Sequence, residues 1–236
     1  MRPMEKTIVA PKRLDAYAFE MIIVLALITL PDFLLSGLVS LPVALHRSTL
    51  AQLRSLEHVA STLEFWVPVV LFAAMLILWL IRRNAWERHV AMIYLGWVTL
   101  RMVVKIVLII YIVTSRPQSV PGVLLKDTFV LWIVNFVLFG TWYWIIDAGG
   151  PRARRDVGSL RYDFAFPQRV LAMPGWEDWQ PRFWDYIFLG FSSNTQFGLG
   201  DTQVLSLRAK FLSMLQITLS MAVIVFMASV AISLIH

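Results

Sequence analysis

Two stretches of this chain, Phe65–Ile81 and Thr128–Ile146, contain no charged residue at all, and two more are nearly as apolar. Val90–Thr114 carries charge only at Arg101 and Lys105, and the run from Ser206 to the C-terminus only at Arg208 and Lys210. About 20 predominantly apolar residues in a helix cross the hydrocarbon core of a bilayer. The remainder of the sequence cannot provide a compensating polar surface. Hydrophobic residues make up 58% of the 236 and charged residues 15%, where a soluble domain carries about 25% charged. The expected fold class is therefore an all-α integral membrane protein whose surface faces lipid. With no cysteine there is no disulfide, thiol catalysis or thiolate metal site. His46, His58, His89 and His236 are scattered, so zinc chemistry is not expected. The net charge of +6 is distributed as topology signals rather than as one nucleic-acid-binding face, and no nucleic-acid partner is expected.

Ahead of these runs, Tyr17 to about Leu45 reads as one broken or tilted passage interrupted at Pro31-Asp32. Between His46 and Glu64, Leu50, Leu53, Leu56 and Val59 recur at helical spacing among charged residues, the pattern of an interfacial helix. The spans divide the chain into an N-terminal group at 1–121 and a second unit at 122–236. Asp147-Ala-Gly-Gly-Pro151 breaks the span that ends at Ile146, since glycine and proline extend a helix poorly. Lys and Arg alternate between the two sides. The N-terminal tail carries four, the loop at 82–89 three and the loop at 152–182 six, which places these segments in the cytoplasm by the positive-inside rule. The expected localisation is a bacterial inner membrane, multi-pass, with a cytoplasmic N-terminus.

The segment Phe183–Asp201 does not fit a simple span. Its first half, Phe183-Trp-Asp-Tyr-Ile-Phe-Leu-Gly-Phe, is aromatic and apolar, and its second half, Ser192 to Asp201, is small and polar, with Gly198 and Gly200 flanking Leu199. This reads as a re-entrant half-helix followed by an extended glycine-bearing strand. Irregular backbone at membrane depth is tolerated only where it is buried in protein or lines water. Alternating glycines would let successive carbonyls point one way and replace the hydration shell of a cation. The expectation is about five transmembrane helices plus this re-entrant segment; the alternative is a complete sixth crossing at 185–205. A third alternative is a glycine turn between two helices, with Asp201 or Thr202 as a helix N-cap.

The run Thr195-Gln-Phe-Gly-Leu-Gly-Asp201, after a short aromatic helix and before Arg208 and a long apolar helix, resembles the pore module of potassium channels over residues 124–235. Gly198, Leu199, Gly200 and Asp201 match that family's G-Y-G-D, while Phe197 stands in its valine place and Gln196 in a threonine place. The resemblance implies a pore-loop cation channel, most simply a homotetramer, passing a monovalent cation such as potassium across a filter of Thr195, Gln196, Phe197, Gly198, Leu199, Gly200 and Asp201, with no resident cofactor. Leu199 for tyrosine and Gln196 for threonine would change selectivity. A second resemblance covers more of the chain. Tyr143-Trp-Ile-Ile-Asp147-Ala-Gly-Gly-Pro151, Asp163-Phe-Ala-Phe-Pro-Gln168, Asp185-Tyr186 and Phe191-Ser-Ser-Asn194 are similar to an uncharacterised family of bacterial inner-membrane proteins, which implies no activity.

Three further features bear on this reading. Ser213, Gln216 and Ser220 share one face of the last span and are candidate pore-lining residues, although small polar residues equally serve helix packing. Arg101 and Lys105 are intramembrane charges four residues apart on one face, with Glu20, Asp32, Glu64 and Asn135 as candidate partners. A non-conducting scaffold or accessory subunit with a packed loop is the rival function. No cluster of acid, base and nucleophile points to an enzyme. Partners beyond a second copy of the chain are membrane lipids.

Overall fold

The structure is a computed structural model that describes residues 84–115, 121–151, 153–156, 161–171, 174–177 and 179–233, with scattered positions between 62 and 77. The passage expected at 17–45 lies outside the described residues, as does all but Thr62 of the interfacial helix expected at 46–64. The span expected at 65–81 is described at scattered positions, which are helical.

The described chain is mostly helical. Three long helices, α1 (Asn84–Ser115), α2 (Pro121–Ile146) and a C-terminal helix at Leu207–Ser233, are joined by shorter elements. Each contains a stretch long and apolar enough to cross a membrane: Arg88–Val107, Leu124–Gly149 and Leu207–Ile232. Proline opens α2, at the first helical position where its missing N–H costs nothing. After Ile146 a single 3-10 turn, Asp147–Gly149, ends the helix, with Gly149 and Gly150 at φ 85° and 102°. Glycine takes these values without penalty, which is why the expected break occurs there.

Short elements follow: α3 (Ala153–Asp156), β1 (Phe164–Ala165), α4 (Pro167–Val170), the 14-residue α5 (Phe183–Gln196), β2 (Gln203–Val204) and α6 (Leu207–Ser233). β1 and β2 pair antiparallel, Phe164 opposite Val204 and Ala165 opposite Gln203. This two-residue ribbon is an addition to the all-α expectation. It is too short for a two-residue periodicity to register in the sequence.

α2 is the central helix, packed on α5 and α6 and more lightly on α1. Its contacts set the directions of the others. Gly140 of α2 meets Tyr186 and Ile187, and Gly190 of α5 meets Phe136 and Gly140. Farther back along α2, the Trp132 carbonyl accepts from the Asn194 amide at 2.8 Å. Rising residue numbers on α5 thus meet falling numbers on α2, so the two are antiparallel. Gln216 of α6 reaches Gly190, and Ser220 reaches Asn194, so α6 runs parallel to α5. α5 therefore descends between α2 and α6 from the end where α2 stops and α6 begins. The chain then returns to that end at β2.

Candidate functional site

The two ends of this descending segment are held by different chemistry. At the α2–α6 junction, Asp147 is fully buried and its carboxylate is heavily used. Oδ1 accepts from the backbone N–H groups of Asp163 (2.7 Å) and Phe164 (3.3 Å), and Oδ2 from the Tyr186 hydroxyl (2.5 Å). Arg154, itself buried, lies 3.9 Å from Oδ2. It also donates to the Trp144 and Asp147 carbonyls and sits 5.1 Å from the Tyr186 ring centroid. Asp163 forms the second half of the cluster. Arg208 donates to it through Nε (2.7 Å) and Nη2 (2.6 Å), a bidentate pair, while Ala148 N–H donates to Oδ2. Ala148 is left-handed at φ 50°, a conformation that costs a non-glycine residue about 1 kcal/mol or more; the Asp163 bond holds it there. Leu205 N–H donates to the Asp163 carbonyl at 2.8 Å, which fixes the outgoing strand beside the incoming one. The rings of Tyr143, Phe164, Tyr186, Phe166 and Trp179 pack edge to face around this cluster.

Burial opposes ionisation of Asp163, but the hydrogen bonds and charge of Arg208, the Ser206 hydroxyl and the Ala148 N–H outweigh it, and the carboxyl titrates below the usual range. A carboxylate whose folded pKa is depressed stabilises the fold above its unfolded value near about 4, and that contribution is lost as pH falls through the folded value. The thermal midpoint of the purified protein is expected to fall between pH 5 and pH 3, and Asp163→Asn to flatten that part of the profile. An identical acid slope in the variant would contradict the assignment.

At the far end of α5 the contacts are neutral. Asn135 donates to the Ser220 hydroxyl at 2.9 Å, Ser220 donates to the Asn194 side-chain carbonyl, and Asn194 donates to Trp132. One level nearer the junction, the Tyr143 hydroxyl donates to Gln216 (2.5 Å), which donates to the Gly190 carbonyl (2.8 Å). Ser213 donates to Ala209 of its own helix. The candidate stripe Ser213, Gln216 and Ser220 is buried and faces α2 and α5, not an open surface. Within one chain these side chains lie in helix contacts, the arrangement that small polar residues also favour. The exposed face of α6 carries Phe211, Met214, Met221 and Val225.

No family model matches the chain, and no curated protein or solved structure matches it.

The filter-like residues form a continuous strip on the outside of the chain. Thr195, Gln196, Phe197, Gly200 and Asp201 are exposed, and Gly198 and Leu199 are half-buried, with Leu199 against the core. Their backbone is a turn where an extended strand was expected. Phe197 caps α5 in a left-handed conformation (φ 53°), Gly200 is also left-handed (φ 64°), and Thr202 N–H donates to the Leu199 carbonyl. That carbonyl is engaged within the chain and does not join a ladder of parallel carbonyls.

Arg101 and Lys105 are both buried, as is Asp127, a residue absent from the expected partners. Asp127 feels the charges of Lys126 and Lys105. Asn135, one of the expected partners, instead bonds Ser220. Among the described residues no cluster of metal-ligating side chains occurs. The sequence signal for the junction cluster was present in Asp147, Asp163 and Tyr186, but nothing in their spacing assigned Arg154 and Arg208 to them.

Proposed function

We propose that this chain is a bacterial inner-membrane protein with a cytoplasmic N-terminus, in which residues 183–201 form a re-entrant pore loop. Copies of the chain, most simply four, surround a pathway for monovalent cations. One observation carries the reading: α5 starts and β2 ends at the same α2–α6 junction, while Asn194 between them bonds Ser220, at the middle of the apolar stretch Leu207–Ile232. About 13 helical residues at 1.5 Å each set that depth at roughly 20 Å, so α5 stops inside a hydrocarbon core about 30 Å thick and does not cross it. The strip 195–201 is then exposed irregular backbone at membrane depth, tolerated only against protein or water. Packing the strips of several copies around one axis supplies both. The C-terminal end of α5 points its negative dipole end at that axis and favours cations. The Thr195 and Gln196 side chains offer neutral oxygens there, and Asp201 adds a carboxylate toward the mouth.

Gly198 is the cleanest residue for the test. A Cβ placed on it meets nothing within 4 Å, and it needs no positive φ, so Gly198→Ala leaves folding intact. Liposomes holding the parent protein are expected to take up potassium, rubidium or sodium, and Gly198→Ala to lower that flux at least about tenfold. Equal flux through both proteins would contradict the pathway. The rival reading, a non-conducting scaffold with a packed loop, is favoured by the internal Thr202–Leu199 bond. It expects no flux together with a subunit number other than four.

A further inference from the structure

Among the described residues, the junction holds three guanidinium groups and two carboxylates. Asp147 answers Arg154, and both oxygens of Asp163 are occupied by Arg208, with Ala148 N–H sharing one. Arg88 is the surplus charge. It lies across the Gly149–Gly150 turn: a Cβ built at Gly149 would sit 3.8 Å from its Nη1, and one built at Gly150 3.7 Å from its Cδ. Its Nε is buried with no hydrogen-bond partner among the described residues. It lies within electrostatic reach of Arg208, whose side chain remains 52% exposed. Among the described residues, two guanidiniums thus lie on one side of the turn with Asp163 as the carboxylate near both. Asp163 attracts both guanidiniums and offsets one of their charges, so a second anion between them would offset the other.

The location indicates which anion. Arg88 opens the apolar stretch of α1, Gly149 closes that of α2, and Leu207, next to Arg208, opens that of α6. The three boundaries meet at one level. Trp86, 62% exposed and 6.3 Å from the His89 ring, marks the same level, where exposed tryptophan seats in the headgroup region. We infer that Arg88 and Arg208, beside the Gly149–Gly150 turn, form a binding site for the phosphodiester of an anionic lipid. Guanidinium suits this ligand because its fork of N–H donors matches phosphate oxygens. The site needs the membrane placement proposed above but not conduction, so a protein that passes no ions still tests it.

The experiment titrates full-length protein in phosphatidylcholine mixed micelles with phosphatidylglycerol, or with inorganic phosphate, and follows the thermal midpoint. Phosphatidylglycerol is expected to raise the midpoint, with half-effect at about tenfold higher lipid for Arg88→Gln, the factor lost with one charge-assisted hydrogen bond. Arg88→Lys is expected to fall between the parent and Arg88→Gln, because the charge remains but the fork of donors does not. Arg169→Gln, an exposed arginine stacked on Tyr162, is expected to match the parent. A midpoint raised by inorganic phosphate alone, and lost in Arg88→Gln, would keep the phosphate site but assign it to the free anion. The inference is overturned if neither ligand shifts the parent, or if Arg88→Gln responds as the parent does.

Discussion

Alanine at Gly190 is expected to lower the thermal midpoint by several degrees, although alanine is the better helix former by about 1 kcal/mol. A Cβ at Gly190 would lie 2.5 Å from the Phe136 carbonyl oxygen, 3.0 Å from Gly140 N and 3.2 Å from Gly140 Cα. All three are backbone atoms that cannot swing aside, so α5 must move off α2. Overpacking of this kind costs about 1–3 kcal/mol, and sometimes more. The displacement also draws Asn194 away from Trp132 and Gln216 away from Gly190. Gly140 is the reciprocal position: its Cβ would fall 2.8 Å from the Tyr186 carbonyl oxygen. Gly96 on α1 supplies the control, since a Cβ there meets nothing within 4 Å, and Gly96→Ala is expected to be neutral or mildly stabilising. Thermal melts of the three variants check the contrast. A Gly190→Ala protein as stable as Gly96→Ala would mean that α5 does not cross α2 at this point.

The larger effect is expected at Asp147. Asp147→Ala removes an acceptor that serves two backbone N–H groups and the Tyr186 hydroxyl, and it leaves Arg154 buried without its carboxylate. Breaking a buried ion pair from one side costs about 3–5 kcal/mol. Asp147→Asn keeps the size and one acceptor and is expected to lose less. Adding Arg154→Met to Asp147→Ala removes the stranded charge, so the double variant is expected to be more stable than Asp147→Ala alone. Melting curves of the four proteins decide this. A double variant less stable than Asp147→Ala would show that the charge of Arg154 is not what the carboxylate compensates.

Much of the architecture was legible because lipid solvent imposes a coarse and readable constraint. The helices at Asn84–Ser115, Pro121–Ile146 and Leu207–Ser233 follow from apolar length, and the break at Asp147–Gly150 from two adjacent glycines before a proline. The aromatic run from Phe183 foretold a short helix where α5 occurs. The polar contacts were less legible, because they depend on which faces meet. Ser213, Gln216 and Ser220 form a stripe on any helix, and only the position of α5 turns that stripe inward. Arg154 and Arg208 count equally as charges in a loop or at a helix start, and the positive-inside rule takes no account of a buried carboxylate nearby. Arg154 is thus a structural residue as well as a contributor to the charge bias. Asp127 escaped notice as a neighbour of Lys105 because the antiparallel register of α1 on α2 is not written in either helix. The ribbon of Phe164–Ala165 with Gln203–Val204 is too brief to leave a pattern, yet it brings the loop back to its starting level.

In the proposed arrangement the chain enters and leaves the membrane on one side between α4 and α6. The chain contains no cysteine, so a single introduced thiol reports without background. Gln180 precedes α5 and Gln203 begins β2, and both are exposed. In sealed vesicles of known orientation, Gln180→Cys and Gln203→Cys are each treated with a membrane-impermeant thiol reagent from one side at a time. Labelling of both from the same side is the result the re-entrant loop requires. Labelling from opposite sides would make residues 185–205 a complete crossing and would contradict the account.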